Sequence, residues 1–152
     1  MARTRESRKK QMLKSWGKYQ IGKCRNLTAK TFQKMIRVEA ANRGGELECV
    51  TCGAIDQWNA GFQMQAGHYV SSRCNAILFE ENNVHVQCSR CNVYLHGNQE
   101  RYSAFMLNKY GPSEVERLQL LRNASRQFTK DELVEMRIDF MDRIKAAEER
   151  LR

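Results

Sequence analysis

The spacing of apolar positions changes along the chain and divides it into four parts. Residues 1–25 combine many Lys and Arg with little apolar periodicity, which predicts a flexible basic arm, or alternatively a helix with one solvated face. Apolar residues in 27–42 recur at helical spacing and Gly44 follows, so a helix is expected to end there. Residues 46–98 lack a sustained helical period, whereas residues 99–152 keep it to the end. The predicted fold class is α+β.

Three helices are predicted in the C-terminal part. Gly111 ends the first, and Pro112 opens the second at a position where its missing amide hydrogen costs nothing. Thr129 and Glu132 have the spacing of a capping box, which predicts the start of a long, highly charged last helix. We expect the apolar stripe of that helix to pack back over the central segment. A seam between two copies of the chain is the alternative.

The central segment, residues 46–98, predicts two short strands followed by a helix. Gln63–Val70 and Asn83–Gln87 are plausible extended pieces, and the second shows alternating apolar and polar residues. A helix is expected to begin just after Ser89 and to continue to about His96. The expected order is therefore strand, loop, strand, helix.

Six cysteines are present, and four of them form two Cys-x-x-Cys pairs. The paired residues are Cys49, Cys52, Cys88 and Cys91. Because no export signal is recognisable, we interpret the pairs as one structural zinc site with four thiolates; a disulfide framework is the alternative. Trp58 and Phe62 are expected to cover this site, and Cys24 and Cys74 to be ordinary thiols.

Length, composition and charge limit the size and the partners of the protein. With 152 residues, 41% of them hydrophobic, residues 26–152 are enough for a single small domain. The net charge is +9 and residues 1–43 alone carry +11, so a polyanionic partner is expected. No apolar run approaches the roughly 18 residues of a membrane span, which predicts a soluble intracellular protein. The candidate DNA-binding residues of the arm are Arg8, Lys9, Lys10, Lys14 and Lys18.

All three histidines of the chain lie in one short window of the central segment. His68, His85 and His96 fall within 29 residues, together with several asparagines. Imidazole and amide oxygen groups can coordinate divalent metal ions. Their clustering beside a structural zinc site suggests a second, catalytic ion.

The order of these residues resembles the HNH, or ββα-metal, nucleases that contain zinc. Gly67-His68-Tyr69, then Asn83 and Asn92, match the three signature positions of that group. Residues 49–58, with the sequence CVTCGAIDQW, and residues 79–85 narrow the resemblance to the NinG (Rap) proteins of lambdoid phages. The resemblance covers about residues 45–150, so the basic arm is interpreted from its charge alone.

The resemblance implies a zinc-stapled HNH core flanked by N- and C-terminal helices, and an endonuclease that cuts branched DNA such as four-way junctions. His68 would be the general base, and Asn83 would brace the loop that presents it. Asn92 would hold a Mg²⁺ or Mn²⁺ ion, and His96 would share its helix face and bind the same ion. A homodimer is expected, because symmetric resolution of a junction needs two active sites. A phage recombination protein is expected to act in the cytoplasm of the bacterial host.

One position departs from the family pattern and keeps other functions open. Many relatives have an acidic metal ligand directly before the base, where this chain has Gly67. The candidates for a replacement ligand are Gln65, Glu80, Glu81 and His85. The main alternative function is a catalytically inactive zinc-ribbon DNA-binding protein that assists recombination. A plain HNH endonuclease without preference for branched DNA is the other.

Overall fold

A computed structural model describes residues 3–61, 63–71 and 73–152. Its helices are α1 Arg5–Trp16, α2 Ile21–Ala40, α3 Asn75–Leu78, α4 Gln99–Tyr110, α5 Pro112–Leu121 and α6 Lys130–Arg150. Its strands are β1 Glu46–Glu48, β2 Ile55–Gln57, β3 Met64–His68 and β4 Val84–Cys88. A 3-10 turn, Glu81–Asn83, precedes β4, and a π-helical turn, Arg90–Tyr94, follows it. The predicted α+β class is confirmed: helices dominate, and the strands form two antiparallel pairs, β1–β2 and β3–β4.

The long helices α2 and α6 pack against each other and form the main core. Phe32, Met35 and Ile36 of α2 share one buried cluster with Phe140 and Ile144 of α6. Burying each side chain of this size stabilises the fold by about 1.5–3 kcal/mol. The first residue of β4 belongs to the same cluster, so the α2–α6 pair supports the β3–β4 hairpin from one side.

The last helix begins as predicted but packs elsewhere. Thr129 and Glu132 form the capping box, each side chain bonding to the backbone N–H of the other. The apolar stripe of α6 packs on α1 and α2 rather than over the cysteine segment, and only Leu151 reaches the cluster around Cys49 and Cys91. The stripe is buried within one chain, so a seam between two copies is not needed to cover it.

The described part of the basic N-terminal segment is folded, which corrects the prediction of a flexible arm over residues 1–25. Trp16 at the end of α1 is buried against Cys24 of α2 and Leu133 of α6. Helix α2 already begins at Ile21. The helical period is weak in α1 because Trp16 is the one fully buried residue of that helix, and ion pairs with α6 hold the rest. The alternative of a helix with a solvated face describes it better.

The hairpin β3–β4 forms where the central segment predicted two strands. β3 lies inside the predicted range 63–70 and ends two residues before the end of that range, and β4 is shifted by one residue from the predicted range 83–87. They pair antiparallel, with Gly67 opposite His85. The β1–β2 pair is not predicted from sequence, because strands of three residues are too short to show an alternating pattern.

The helix expected between Ser89 and His96 is reduced to one π-helical turn that ends two residues before His96. The backbone of His96 is left-handed, with φ of 49°, and the N–H of Gly97 returns to the carbonyl of Cys91 at 2.9 Å. The chain therefore leaves the helix before His96. The prediction that His96 and Asn92 share a helix face is wrong.

Helices α4 and α5 close the opposite side of the hairpin. Tyr102 and Met106 of α4 and Leu118 of α5 pack on Tyr69 and Val70, which directly follow β3. This arrangement fixes the C-terminal end of β3 between α4 and the α2–α6 pair. Among the described residues, no helix has both the length and the apolarity to cross a membrane.

Candidate metal centre and the adjoining cavity

The four predicted thiolate ligands converge beside the β3–β4 hairpin. The Sγ atoms of Cys49, Cys52, Cys88 and Cys91 all lie within 4.8 Å of one another. Tetrahedral coordination with Zn–S bonds of about 2.3 Å requires sulfur–sulfur distances of about 3.8 Å, and Cys52 Sγ and Cys88 Sγ are 3.7 Å apart. All four are free thiols, so the alternative of a disulfide framework is not realised. The cluster could hold a metal ion such as zinc.

Polar side chains around the cluster orient its sulfur atoms. The Thr51 hydroxyl lies 3.2 Å from Cys49 Sγ, and Asn98 Nδ2 donates to Cys91 Sγ at 3.4 Å. Hydrogen bonds of this kind fix the direction of ligating atoms and tune their charge. Asn98 reaches the sulfur from a left-handed backbone with φ of 48°, which asparagine tolerates better than most residues.

An aromatic side chain covers the cluster as predicted. Trp58 packs against the buried residues that include two of the four cysteines. Phe62, expected to do the same, lies outside the described residues. Cys24 and Cys74 lie apart from the cluster, the first in the core beneath α1 and the second bonded to backbone carbonyls. They are ordinary thiols, as expected.

An open cavity of about 570 Å³ lies next to the cysteine cluster, because Asn92, which directly follows Cys91, lines it. It is called the His68 cavity below. It is lined by Gln33, Ala66, His68, Tyr69, Ser71, Asn92, His96, Gly97, Gln99 and Arg122. The tertiary structure thus brings together three predicted site residues, His68, Asn92 and His96. Among the described lining residues there is no carboxylate.

His68 is the last residue of β3 and is held in one orientation. Its Nε2 lies 3.2 Å from the carbonyl oxygen of Leu78. A carbonyl only accepts, so Nε2 carries the proton of the neutral ring and Nδ1 keeps a lone pair. Burial lowers the pKa of His68, and the bond to Leu78 opposes this shift. The side chain therefore has a proton-accepting nitrogen at neutral pH.

Asn83 acts on the loop that follows His68 rather than on the cavity. Its side chain is fully buried, with Oδ1 accepting from the N–H of Val70 at 2.8 Å and Nδ2 donating to the carbonyl of Val70 at 2.9 Å. The N–H of Tyr69 donates to the Asn83 carbonyl at 2.8 Å. These three bonds lock the two residues after His68. The side chain and carbonyl of Asn83 therefore hold the segment that directly follows His68.

Only one of the four candidate replacement ligands lies beside Asn92. Asn92 Nδ2 donates to Gln65 Oε1 at 2.7 Å, which leaves Oδ1 of Asn92 as the remaining acceptor of that amide. Glu80 and Glu81 are each paired with an arginine, at 2.8 Å and 2.6 Å. His85 lines a separate cavity. Glu80, Glu81 and His85 are therefore engaged away from the His68 cavity.

The glycine before His68 is required by its neighbours. A Cβ added to Gly67 would lie 2.2 Å from Gln87 Oε1 and 3.0 Å from Asn92 Oδ1. Gln87 is fully buried and fixed by Nε2, which donates to Thr51 Oγ1 and to the Gly97 carbonyl. Its Oε1 has no hydrogen-bond partner among the described residues. An acidic residue at position 67 is therefore excluded unless Gln87 moves.

A buried hydrogen-bond chain runs behind the hairpin. The Tyr102 hydroxyl donates to the carbonyl of Gly67 at 2.7 Å and therefore accepts from His85 Nδ1–H at 3.1 Å. His85 Nε2 then accepts from the Tyr110 hydroxyl at 2.8 Å. Burial and the charge of Lys109 lower the pKa of His85 to about 4. A neutral histidine thus supports the backbone of the residue before His68.

The predicted DNA-binding residues lie on or just after α1, away from this cavity. Arg8 and Lys9 form ion pairs with acidic residues of α6, with shortest N–O distances of 2.6 Å and 2.8 Å. Lys10 lies 3.9 Å from an acidic residue of its own helix, whereas Lys14 and Lys18 have no ion pair within the described chain. None of the five lines the His68 cavity.

A second groove adjoins the His68 cavity and is missed by the sequence analysis. This α2 groove, of about 330 Å³, is lined by Lys30, Gln33, Lys34, Arg37, Met64, Gln65, Ala66 and Asn92. It shares three wall residues with the His68 cavity, among them Asn92. The signal was present in the sequence, because Lys30, Lys34 and Arg37 recur at the i, i+4, i+7 spacing of one helix face.

Comparison with known proteins gives the family. The family described as "Bacteriophage Lambda NinG protein" matches residues 1–150, so the match includes the basic N-terminal segment, beyond the 45–150 expected. The chain is 27% identical to Protein ninG of Escherichia phage 933W and 26% identical to Protein ninG of Escherichia phage lambda, over 124 residues each.

These matches cover 81% of this chain and 59% and 58% of the two relatives. Protein ninG of Salmonella phage P22 is 25% identical over the same length. The chain therefore spans about three fifths of the length of these relatives. No solved structure matches the chain. Because the family match extends over nearly all its residues, this chain belongs to the NinG family of bacteriophage proteins.

Proposed function

We propose that this protein is a metal-dependent endonuclease of phage recombination that hydrolyses phosphodiester bonds in branched DNA by an HNH-type mechanism. One observation carries the proposal: His68, a neutral histidine held in one orientation, lines the same open cavity as Asn92. Asn92 lies on the turn that the four-cysteine cluster anchors. The order β3, loop, β4, turn supports an HNH core, with His68, Asn83 and Asn92 at its three signature positions.

His68 acts as the general base. Its Nδ1 takes a proton from a water molecule in the cavity, and the resulting hydroxide attacks the phosphorus. The carbonyl of Leu78 holds Nε2–H and stabilises the imidazolium that forms, because a carbonyl oxygen interacts more strongly with a charged donor. Asn83 positions His68 through the backbone of residues 69 and 70.

The donors in the cavity suit a divalent ion of moderate hardness. Asn92 would hold it through Oδ1 and His96 through its imidazole, and both line the cavity. Imidazole binds Mn²⁺ more readily than Mg²⁺, so Mn²⁺ is the better match of the two predicted ions. When bound, such an ion polarises the phosphoryl oxygen and stabilises the leaving oxygen.

Zinc is the ion proposed for the four-cysteine cluster. Four thiolates complete a tetrahedron and leave no position for water or substrate, so its role is structural. It joins the segment after β1 to the end of β4 and thereby fixes the turn that carries Asn92. We also propose that the protein acts as a homodimer in the cytoplasm of the bacterial host, since two strands of a junction require two sites.

The carboxylate-free lining of the cavity favours a second candidate function. Most Mg²⁺ sites include one or two carboxylates, and Gly67 occupies the position where many relatives have one. A zinc-stabilised DNA-binding protein that assists recombination without cutting fits this feature. An HNH endonuclease without preference for branched DNA differs from both in its substrate range.

Cleavage of a labelled four-way junction and of a linear duplex with the same sequence tests these functions together. The protein is assayed with Mg²⁺, with Mn²⁺ and without added ion, beside a His68→Ala variant. We expect ion-dependent cutting of the junction, strongest with Mn²⁺, and a loss of about 10²- to 10⁴-fold in the variant. Tight junction binding without cutting under any ion would replace the nuclease by the accessory protein, and equal cutting of both DNAs would remove the branched preference.

A further inference from the structure

We infer that the DNA backbone runs along the α2 groove before it enters the His68 cavity, with Lys30, Lys34 and Arg37 as its phosphate contacts. This inference rests on the proposed function, because it names the path by which DNA reaches that site. It differs from the sequence-based prediction, which assigned DNA binding to the basic residues of the N-terminal segment.

Continuity with the His68 cavity is the first support. The α2 groove and the His68 cavity share Gln33, Ala66 and Asn92, so a chain lying in the groove continues past Asn92 toward His68. Arg122 also lines the His68 cavity. A strand that passes from the groove into the cavity therefore meets a further cation there.

The sign of the charge is the second support. Neither the α2 groove nor the His68 cavity has an acidic lining residue among the described ones. A further cavity of about 400 Å³ shares Lys30 and Lys34 and adds Arg137 and Lys145 of α6, with Glu148 as its acidic member. Such a line of cations with one acid is the electrostatic footprint of a phosphate backbone.

The spacing of the cations is the third support. Lys30 and Arg37 are seven residues apart on one helix, which corresponds to about 10 Å along its axis. One strand of duplex DNA carries a phosphate every 3.4 Å or so along its axis, so the three cations span about three phosphates. Arg37 is half-buried and donates to the Met64 carbonyl at 3.5 Å, which directs its guanidinium along the groove wall.

The availability of these cations is the fourth support. Lys30 has no ion pair within the described chain, and Lys34 has one half-exposed pair with Glu148, at 2.7 Å. A pair of this kind stabilises the protein by about 1 kcal/mol or less, so a phosphate can replace Glu148. In α1, by contrast, Lys9 contacts two acidic residues of α6 at once.

A binding experiment tests the groove without relying on cleavage. The variant Lys30→Gln/Lys34→Gln is compared with the matched control Lys10→Gln/Lys14→Gln, which removes the same charge from α1. Both carry His68→Ala so that the DNA stays intact. The dissociation constant for a fluorescent four-way junction is measured by anisotropy between about 50 mM and 200 mM salt.

We expect the α2 variant to bind at least about tenfold more weakly and to lose about 2 from the slope of log K against log salt. The control should keep both values, and Lys30→Arg/Lys34→Arg should restore them. An unchanged slope in the α2 variant, or an equal loss in the control, would overturn the inference.

Wild-type cleavage, measured in parallel, separates the two ideas. Junction cutting by the wild type, together with an unchanged salt slope in the α2 variant, would refute DNA binding in the α2 groove and support the nuclease proposal. A reduced salt slope in the α2 variant, together with no cutting by the wild type, would refute the nuclease proposal and support DNA binding in the α2 groove.

Discussion

Two histidines on neighbouring strands, both with a pKa lowered by burial, differ in their hydrogen bonds and in the cavities they line. His68 lines an open cavity, and its one hydrogen bond within the described part of the chain runs from Nε2 to a backbone carbonyl. His85 is enclosed, with both ring nitrogens bonded to tyrosine hydroxyls. The cavity beside His68 has no acidic lining residue among those described, whereas the one beside His85 is lined by Glu39, Glu48 and Glu81.

The difference shows that environment assigns the chemistry of each histidine. The His68 ring lines an open cavity and keeps a lone pair on Nδ1, which is the nitrogen that accepts a proton from water in the proposed function. A ring with both nitrogens occupied can only hold its neighbours in place. Through Tyr102 and the Gly67 carbonyl, His85 supports the strand that presents His68. One side of the hairpin lines the cavity of the proposed active site, and the other supports the strand that carries His68.

Loss of the proposed metal centre should disrupt the β3–β4 hairpin that carries both histidines, and this is the largest effect expected. Cys88→Ser leaves three thiolates, so a bound metal no longer ties the segment after β1 to the end of β4. We expect loss of bound zinc and of the cooperative thermal transition, measured by metal analysis and circular dichroism. Cys74→Ser, the same chemical change outside the cluster, should retain both; zinc content near one per chain in Cys88→Ser would contradict the assignment.

Replacing each histidine should separate reaction from support. His68→Ala should lose cleavage by about 10²- to 10⁴-fold with little change in unfolding free energy. His85→Phe keeps the ring shape but leaves the buried Tyr102 hydroxyl and the half-buried Tyr110 hydroxyl without that partner, so we expect about 1–3 kcal/mol of destabilisation and a smaller loss of cleavage. Denaturant unfolding and junction cleavage on both variants check this, and an unfolding free energy unchanged in His85→Phe argues against the support role.

Acid should weaken the supporting side. The unfolded chain takes up a proton on His85 below pH 6.5 or so, whereas in the folded protein its pKa is about 4, so protonation favours unfolding. The stability contributed above pH 6.5 is lost as the pH falls toward 4, by about 3 kcal/mol. Unfolding free energies at saturating zinc should fall less steeply in His85→Gln, and parallel pH curves would count against this account.

A methyl group added at Gly67 should have an effect on stability no larger than that of His85→Phe. Gly67→Ala forces its Cβ against Gln87 Oε1, and we expect a loss of about 1–3 kcal/mol from overpacking. Gln87→Ala removes the clashing atom, so Gly67→Ala/Gln87→Ala should recover part of this loss in a double-mutant cycle. Additive losses in the two single variants would show that this contact does not set the requirement for glycine.

Local patterns in the sequence predicted most of the helices and the ligands of the metal centre. The Cys-x-x-Cys spacing identified all four thiols, because two residues between cysteines let both reach one ion. The capping box at Thr129 and the proline that opens α5 were visible for the same local reason. His68 and Asn92 were found by their place in the motif, and the cavity brings them together.

Two predictions from the sequence were wrong: the flexible arm and the helix face shared by Asn92 and His96. Residues 5–16 looked like a flexible arm, yet Trp16 and ion pairs to α6 fix them as a helix. His96 was expected on the helix of Asn92, but left-handed backbone takes it out of that helix while it still lines the same cavity. The first result depends on contacts with a helix far away in the sequence, whereas the second is set by the turn in which Gly97 N–H bonds to the Cys91 carbonyl.

By itself, then, the sequence determined the elements and the chemistry that depend on neighbours in the chain: the capped helices, the thiolate pairs, and the histidine, asparagine and lysine side chains available for a site. Only the tertiary structure decided which of these groups meet. It set His68 against a cavity with no acidic side chain among its described lining residues, enclosed His85 between two tyrosines, and joined the α2 lysines to Asn92. Burial, ion pairing and hydrogen bonding are set by residues far apart in the sequence, so no local pattern encodes them.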